Sequence, residues 1–466
     1  MLKKLVAIVL SICCLASTSM LLSACGGGAQ GQTNTYEDVI DWDKIDWEGK
    51  NDSGNTILVY FSNDMQDYYA PKIEAFEDAY PQYDVEVRWG AAGDGVKQEQ
   101  TSAISTGNPP DLILGGDVHI ENQKGFLLPL NKLIERDAQQ VQSEDFLDGM
   151  LDSLSSGEGL YYLPTTFNVS VLLYNKDLFD QAGQAYPTEN WTFEDFVAAG
   201  KALTKYDSSG AAQQWGNQTV TEWWTQWYSM LRMDGGSLYD DEGYVTLNTE
   251  EGIRALTNWR RITGVQGQTN AQYPDKIGTH NGSDGGNLGN FAGGKVAMLY
   301  SVACGQLMTF SNSNLNFDVA PLPKSALTDS RAGIEMSITA YGIHKNSKNK
   351  QGAWELLKWL TAPRTDLEEL AEFAMPTPRK SERDMQLAVP KEERATKYKN
   401  LEAIYDSVSI AASLPRLSYF EEVTMQYIVP EVNKLIDGTY STAEQAAKAA
   451  EENANAYIMY RYKTEF

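Results

Sequence analysis

Cysteine and histidine are scarce in this sequence: four cysteines and three histidines among 466 residues. Cys13 and Cys14 lie in an apolar N-terminal run and Cys25 closes it, so Cys304 stands alone in the body of the chain. That count excludes a disulfide framework and a Cys-rich metal site. The simplest reading of Cys304 is a small buried apolar residue. His119, His280 and His344 are scattered singly, which leaves little material for a histidine-based metal or catalytic centre, and no cofactor is expected. Positive charge is short as well. Against 63 acidic residues stand 38 Lys and Arg, a formal charge of −25. Such a chain does not suit phosphate backbones, so nucleic acid is not an expected partner. Beyond the N-terminal run, no segment approaches the roughly 18 uninterrupted apolar residues of a membrane helix. Nucleophile elbow, His-Glu-x-x-His and phosphate-binding loop are all missing. A glycosidase needs two carboxylates about 5 or 9 Å apart, and no motif singles out such a pair. An enzyme is therefore not expected.

What is present begins at the N-terminus. Lys3 and Lys4 precede a nearly unbroken apolar stretch at 5–15, and small residues follow. This is the three-part plan of a secretory signal. Leu22-Ser23-Ala24-Cys25-Gly26 resembles the bacterial lipobox, which implies a signal peptide at 1–24 and a diacylglycerol on the Cys25 thiol. An ordinary cleaved signal or an uncleaved helix is the alternative. Residues 25–55, opening with three glycines and turning acidic around Trp42 and Trp47, read as a flexible tether.

The remaining length allows two domains with sizeable cores. Ile57-Leu58-Val59-Tyr60-Phe61 reads as a strand covered on both faces. Pro71 is expected to open a helix with Ile73, Phe76 and Ala79 on one face. Tyr83, Val85, Val87 and Trp89 alternate with polar residues, a period-two strand. A polar helix over 96–106 then leads to a third strand at Asp111-Leu112-Ile113-Leu114, and this alternation predicts a parallel α/β sheet. Thr192-Phe193-Glu194-Asp195 and Ser441-Thr442-Ala443-Glu444 fit helix-start capping patterns. Trp354, Leu357 and Leu360 recur at helical spacing until Pro363.

The succession Ser105-Thr106-Gly107-Asn108-Pro109-Pro110-Asp111-Leu112-Ile113, Leu173-Tyr174-Asn175-Lys176-Asp177-Leu178-Phe179, Trp191-Thr192-Phe193-Glu194-Asp195-Phe196, Phe291-Ala292-Gly293-Gly294-Lys295-Val296-Ala297-Met298 and Ala320-Pro321-Leu322-Pro323 resembles the family 1 extracellular solute-binding proteins, in order over 57–460. The resemblance implies a two-lobed periplasmic-binding-protein-like α/β fold. Each lobe would be a mostly parallel sheet flanked by helices, with ligand in the cleft between. Lobe one is then 55–166 plus 340–385 and lobe two 167–335 plus 390–466. Crossovers would fall near 165–170, 333–340 and 380–395. It also implies a monomeric, membrane-anchored extracytoplasmic subunit that delivers a sugar or oligosaccharide to an ABC permease. A non-sugar solute such as glycerol-phosphate, a carbohydrate-active enzyme and a surface adhesin are the rival readings.

In open α/β sheets ligands lie beyond the carboxyl ends of the strands. That rule selects Asn63 and Asp64 after the first strand, and Gly116 and Asp117 after the third. Amides and carboxylates there can grip hydroxyls, although such residues also cap helices. Trp223-Trp224-x-x-Trp227-Tyr228 packs more aromatics than one helical face holds, so Trp223 or Trp224 is expected to offer an indole to a sugar's C–H face. Trp89 and Trp259 are expected in the core. By resemblance alone, Asn168, Ser301, Glu335, Arg416, Tyr419 and Glu421 join the candidate cleft.

Overall fold

The computed structural model describes residues 41–463 except 92–94, 116–124, 157–158, 219–223, 266–272, 274, 280–287, 312, 329, 331–332, 335–336, 368–369, 371–375, 413–416 and 418. Residues 1–45 and 46–466 are separate units. In the first, the described residues 41–45 hold one 3-10 turn at Trp42–Lys44. The second carries the whole α/β body. Its first residues are not loose: the Asp52 carboxylate accepts the Gln351 N–H at 3.0 Å, and Ser53 N–H donates to Lys348 C=O at 2.9 Å.

Strands β1 (Thr56–Ser62), β2 (Asp84–Gly90), β3 (Leu112–Gly115) and β4 (Leu127–Leu128) open lobe one. A small hairpin follows, β5 (Ser155–Ser156) and β6 (Gly159–Leu160), and then β7 (Leu163–Asn168). Lobe two holds β8 (Ser170–Asn175), β9 (Lys205–Tyr206), β10 (Ala212–Gln218), β11 (Gly278–Thr279), β12 (Val296–Ala303) and β13 (Phe317–Ala320). The chain returns through β14 (Gly333–Ile334) and β15 (Ser337–His344), and β16 (Ala411–Ala412) later pairs with β14. The order is β2-β1-β3-β15-β4, with β7 on β15, in one sheet. The other runs β11-β10-β12-β8-β13, with β9 on β10.

Both sheets are mixed, which refines the expectation of mostly parallel ones. In lobe one β1 is parallel to β2 and β3, whereas β15 is antiparallel to β3, β4 and β7. The reason is the route of the chain: β7 leaves the lobe and β15 comes back into it, so the two run oppositely. Lobe two repeats the division, with β10 parallel to β11 and β12, and β8 antiparallel to β12 and β13.

Local chemistry explains several element boundaries. Helix Gln66–Ala79 begins a turn and more before Pro71, because the 3-10 turn Asn63–Met65 runs straight into it. Pro71 therefore sits inside the helix, where its missing N–H leaves one backbone bond unmade. Thr192 caps helix Phe193–Leu203 in a reciprocal box with Asp195, as expected. At helix Ala443–Ile458 the box is one residue later than the sequence pattern: Thr442 with Gln445, not Ser441 with Glu444. An amide oxygen accepts the cap N–H as well as a carboxylate does.

β1 is covered unequally. Ile57, Val59 and Phe61 are fully buried, whereas Leu58 and Tyr60 are only partly so. The covering helix Gly95–Ser105 is too polar to seal that face, burying only Val96 and Gln100. A hollow of about 720 Å³ remains there, lined by Tyr60, Arg88, Trp89 and Glu99 among others. Trp89 is accordingly half-buried, against the expectation of a core residue, while Trp259 is fully buried as expected.

Candidate functional site: the facing edges of two sheets

Register places one edge of each sheet at the crossovers. In lobe one the pairs Ala340↔Gly115 and Ser337↔Asn168 bring the carboxyl ends of β3 and β7 beside the start of β15. β1 ends alongside β3. In lobe two Ser170↔Ala303 brings the start of β8 beside the carboxyl end of β12, while Asn217↔Met298 sets the carboxyl end of the parallel β10 beside the first half of β12. Only Val169 separates β7 from β8, so the edges are joined directly.

The joint is tightly bonded. Cys304 N–H donates to Val169 C=O at 3.0 Å, and Val169 N–H points back at the Cys304 sulfur at 3.4 Å. Asn168 Oδ1 accepts the Gly305 N–H at 2.6 Å. A β-carbon on Gly305 would lie 2.5 Å from that oxygen, so the contact requires glycine. Cys304 is fully buried, in keeping with its reading as a small apolar residue, and its thiol lies against the connection itself. The carbonyl end of Asn168 is thus engaged in holding the joint.

On the lobe-one edge, Asn63 and Asp64 are exposed just past β1, and the Asp64 carboxylate accepts the Ser62 hydroxyl. Gly116 and Asp117 lie outside the described residues, as do Trp223, Glu335, Arg416 and the lipidation candidate Cys25.

The lobe-two edge is denser. Trp227 and Tyr228 are buried in the core of helix Thr225–Met233, while Trp224 at its start is half-buried. The Trp224 ring meets Tyr228 at 5.3 Å and Phe420 edge-on at 5.4 Å. The spread of this aromatic cluster over more than one helical face therefore ends with at least Trp224 partly outside the core. Ser301 lies inside β12, where the register with β8 shifts, in a left-handed conformation with φ 52°. Its hydroxyl meets that of Ser229, and Thr225 C=O accepts from Ser229 at 2.8 Å and Ser301 at 3.3 Å. Ser301 is 1% exposed and bolts β12 to the helix.

Tyr419 is buried and donates its hydroxyl to Gly243 C=O at 2.8 Å. Gly243 has φ 83°, and a β-carbon there would sit 2.3 Å from the Tyr419 oxygen. Burial, with Tyr244 and Asp240 nearby, pushes the Tyr419 phenol up to about 12. It is therefore a neutral donor at physiological pH. Glu421, two residues on, is exposed at the start of the Phe420–Val423 helix.

The sequence reading did not single out Gly305, Ser229 or Phe420. Each acts through a partner more than a hundred residues away or through a bulge, and local spacing carries no trace of either. Among the described residues, no group of three or more His, Cys, Asp or Glu is placed to hold a metal ion. No described helix is long and apolar enough to cross a membrane.

Comparison with known proteins fits this architecture. An arabinooligosaccharide-binding protein of Halalkalibacterium halodurans is 25% identical over 215 residues, 45% of this chain and 46% of that protein. The chain thus matches about half the length of that curated relative. An ABC substrate-binding protein from Listeria monocytogenes, solved with cycloalternan, superposes with a TM-score of 0.70 at 22% identity, covering 87% of this chain and 99% of that one. UgpB from Mycobacterium tuberculosis, solved with glycerophosphocholine, gives a TM-score of 0.70 at 18% identity over 88% of this chain and 100% of that one. The profile of the family described as "Bacterial extracellular solute-binding protein" matches residues 62–366, and the chain belongs to that family.

Proposed function

We propose that the chain is the lipid-anchored receptor of an ABC importer, held at the outer face of the cell membrane through Cys25, and that it captures a neutral sugar or oligosaccharide. The observation that carries the reading is the pair of sheet edges facing one another across a one-residue joint at Val169. A solute touching both edges favours the closed arrangement by its extra contacts there, and closure shifts with that difference in affinity. Asn63, Asp64, Gly116 and Asp117 would supply hydrogen bonds from lobe one. Trp223 or Trp224 would cover a pyranose face from lobe two, with Glu335, Arg416 and Glu421 as further contacts. The lobe boundaries near 166 and 340 follow the same reading, as does a monomeric state before docking on the permease.

A micromolar Kd, about −8 kcal/mol, is sufficient for capture and still permits release. A thermal-shift and tryptophan-fluorescence screen of the mature chain tests the cargo. Arabino- and malto-oligosaccharides are expected to raise the midpoint without being consumed. Consumption of the sugar would make the chain an enzyme. A response to glycerophosphocholine, with silence to every sugar, would favour the phosphodiester-type cargo of the UgpB neighbour instead. Radiolabelled palmitate incorporation that persists in Cys25→Ser would remove the anchor from the proposal.

A further inference from the structure

β10 is an interior strand of the lobe-two sheet, and Gln218 is its last residue, at the carboxyl end where ligands lie in such sheets. Gln218 is 0% exposed, yet neither its amide oxygen nor its amide nitrogen has a hydrogen-bond partner. The adjoining Asn217, also 0% exposed, accepts the Tyr300 N–H at 3.0 Å through Oδ1 and leaves its Nδ2 without a partner. Buried polar groups are nearly always satisfied, and an orphaned primary amide asks what meets it when the protein works. The Gln226, Ser229 and Ser301 donors are spent elsewhere. Gln226 Nε2 binds Tyr300 C=O at 2.9 Å and the Gln218 backbone C=O at 3.4 Å, while Ser229 and Ser301 bind each other. None of these side chains is turned to the Gln218 amide.

We propose that Gln218 is the lobe-two group that reads hydroxyls of the bound solute, donating through Nε2 and accepting through Oε1. The proposal rests on the solute-binding function and narrows the class of solute. A hydroxyl is both donor and acceptor, so it satisfies either end of a primary amide without bringing in charge. An anion would place negative charge against Oε1. The described side chains shown beside it, Asn217 and Gln226, are both neutral and offer no cation to offset it. The solute is therefore a neutral polyhydroxylated molecule, a sugar or sugar alcohol, at this contact.

The test is Gln218→Met, which keeps the length of the side chain and removes both polar atoms. Without ligand, the thermal midpoint is expected to hold or rise, because an unsatisfied amide has been deleted. A clear fall would show that the amide is already satisfied in the ligand-free protein and would overturn the proposal. With tagatose, ribitol, arabinotriose or maltotriose as probes, whichever the wild type binds is expected to bind the variant at least tenfold more weakly by calorimetry. An unchanged Kd, with the wild type binding well, overturns this inference alone and leaves the sugar reading standing. A wild type that ignores all four and takes glycerophosphocholine overturns both. A crystal structure of the wild type with the bound sugar needs no variant. A hydroxyl about 3 Å from the Gln218 amide is expected there, and an ordered water as its only partner would overturn the assignment.

Discussion

The two facing edges are finished to different degrees. On lobe one, the described candidates Asn63 and Asp64 stand in solvent, with only the Ser62 hydroxyl on Asp64. On lobe two, Ser301 and Tyr419 are buried and already committed, one to Ser229 and Thr225, the other to Gly243. A hydroxyl that already donates its proton can serve a ligand only as an acceptor, unless it gives up a bond that holds the lobe. In the proposed reading the lobe-two edge gives shape, through the half-buried Trp224 ring and the unpartnered Gln218 amide, while lobe one gives adaptable hydrogen bonds. Substitutions on lobe two should register in folding as well as binding, and those on lobe one in binding alone.

The largest effect is expected at Ser301. Ser301→Val forces a β-branched residue into a left-handed conformation and deletes the hydroxyl bolt. Together these should cost about 3 kcal/mol in urea unfolding. Ser301→Gly restores the backbone freedom and should recover part of that loss. Equal losses in the two variants would mean that the strained φ contributes nothing. Trp224→Ala comes next. Loss of a stacking anchor is expected to weaken sugar binding by about 2 kcal/mol, roughly thirtyfold, and to lower stability because Phe420 and Tyr228 lose a neighbour. Stability loss with an unchanged Kd would make Trp224 a core residue only.

Smaller effects belong to lobe one. Asp64→Ala and Asn63→Ala should each weaken binding by about 1 kcal/mol, with urea midpoints unchanged because both side chains are exposed. If either moves the midpoint as Trp224→Ala does, the contrast between the edges fails.

How far the residues alone reveal this arrangement depends on the range over which each feature is determined. β1 was legible as a strand from its continuous apolar run, though not the unequal covering of its two faces, and β2 was legible because alternation is local: Val85, Val87 and Trp89 share a face whatever surrounds them. The Thr192 box was legible for the same reason, and the 441–445 box only to within a residue, because Gln445 can replace an acid. The antiparallel halves of the sheets were not legible, since β15 pairs with β3 and β7 across more than 160 residues of chain. The site divides likewise. Asn63 and Asp64 follow from the end of a strand, whereas the roles of Ser301 and Asn168 depend on a bulge in β12 and on Gly305. An unsatisfied amide such as Gln218 has no signature in sequence, because it is defined by what fails to arrive.

The smallest effect concerns acid, and it tests whether lobe one is the pH-sensitive half. His344 at the end of β15 is buried, and its Nδ1 accepts the Asn346 N–H at 3.1 Å while its Nε2 has no partner. Burial, with Lys345 and Lys350 nearby, holds its pKa below the usual histidine value, and Asp111 only partly opposes this. The unfolded chain therefore takes up a proton before the folded one does. Stability is complete above an unfolded-state pKa of about 6.5 and declines as pH falls from there toward the folded value. His344→Gln should flatten that decline below about pH 6.5 in urea titrations, leaving the behaviour above that pH little changed. An acid slope that survives the substitution would assign the sensitivity to other groups and remove pH from the differences between the two lobes.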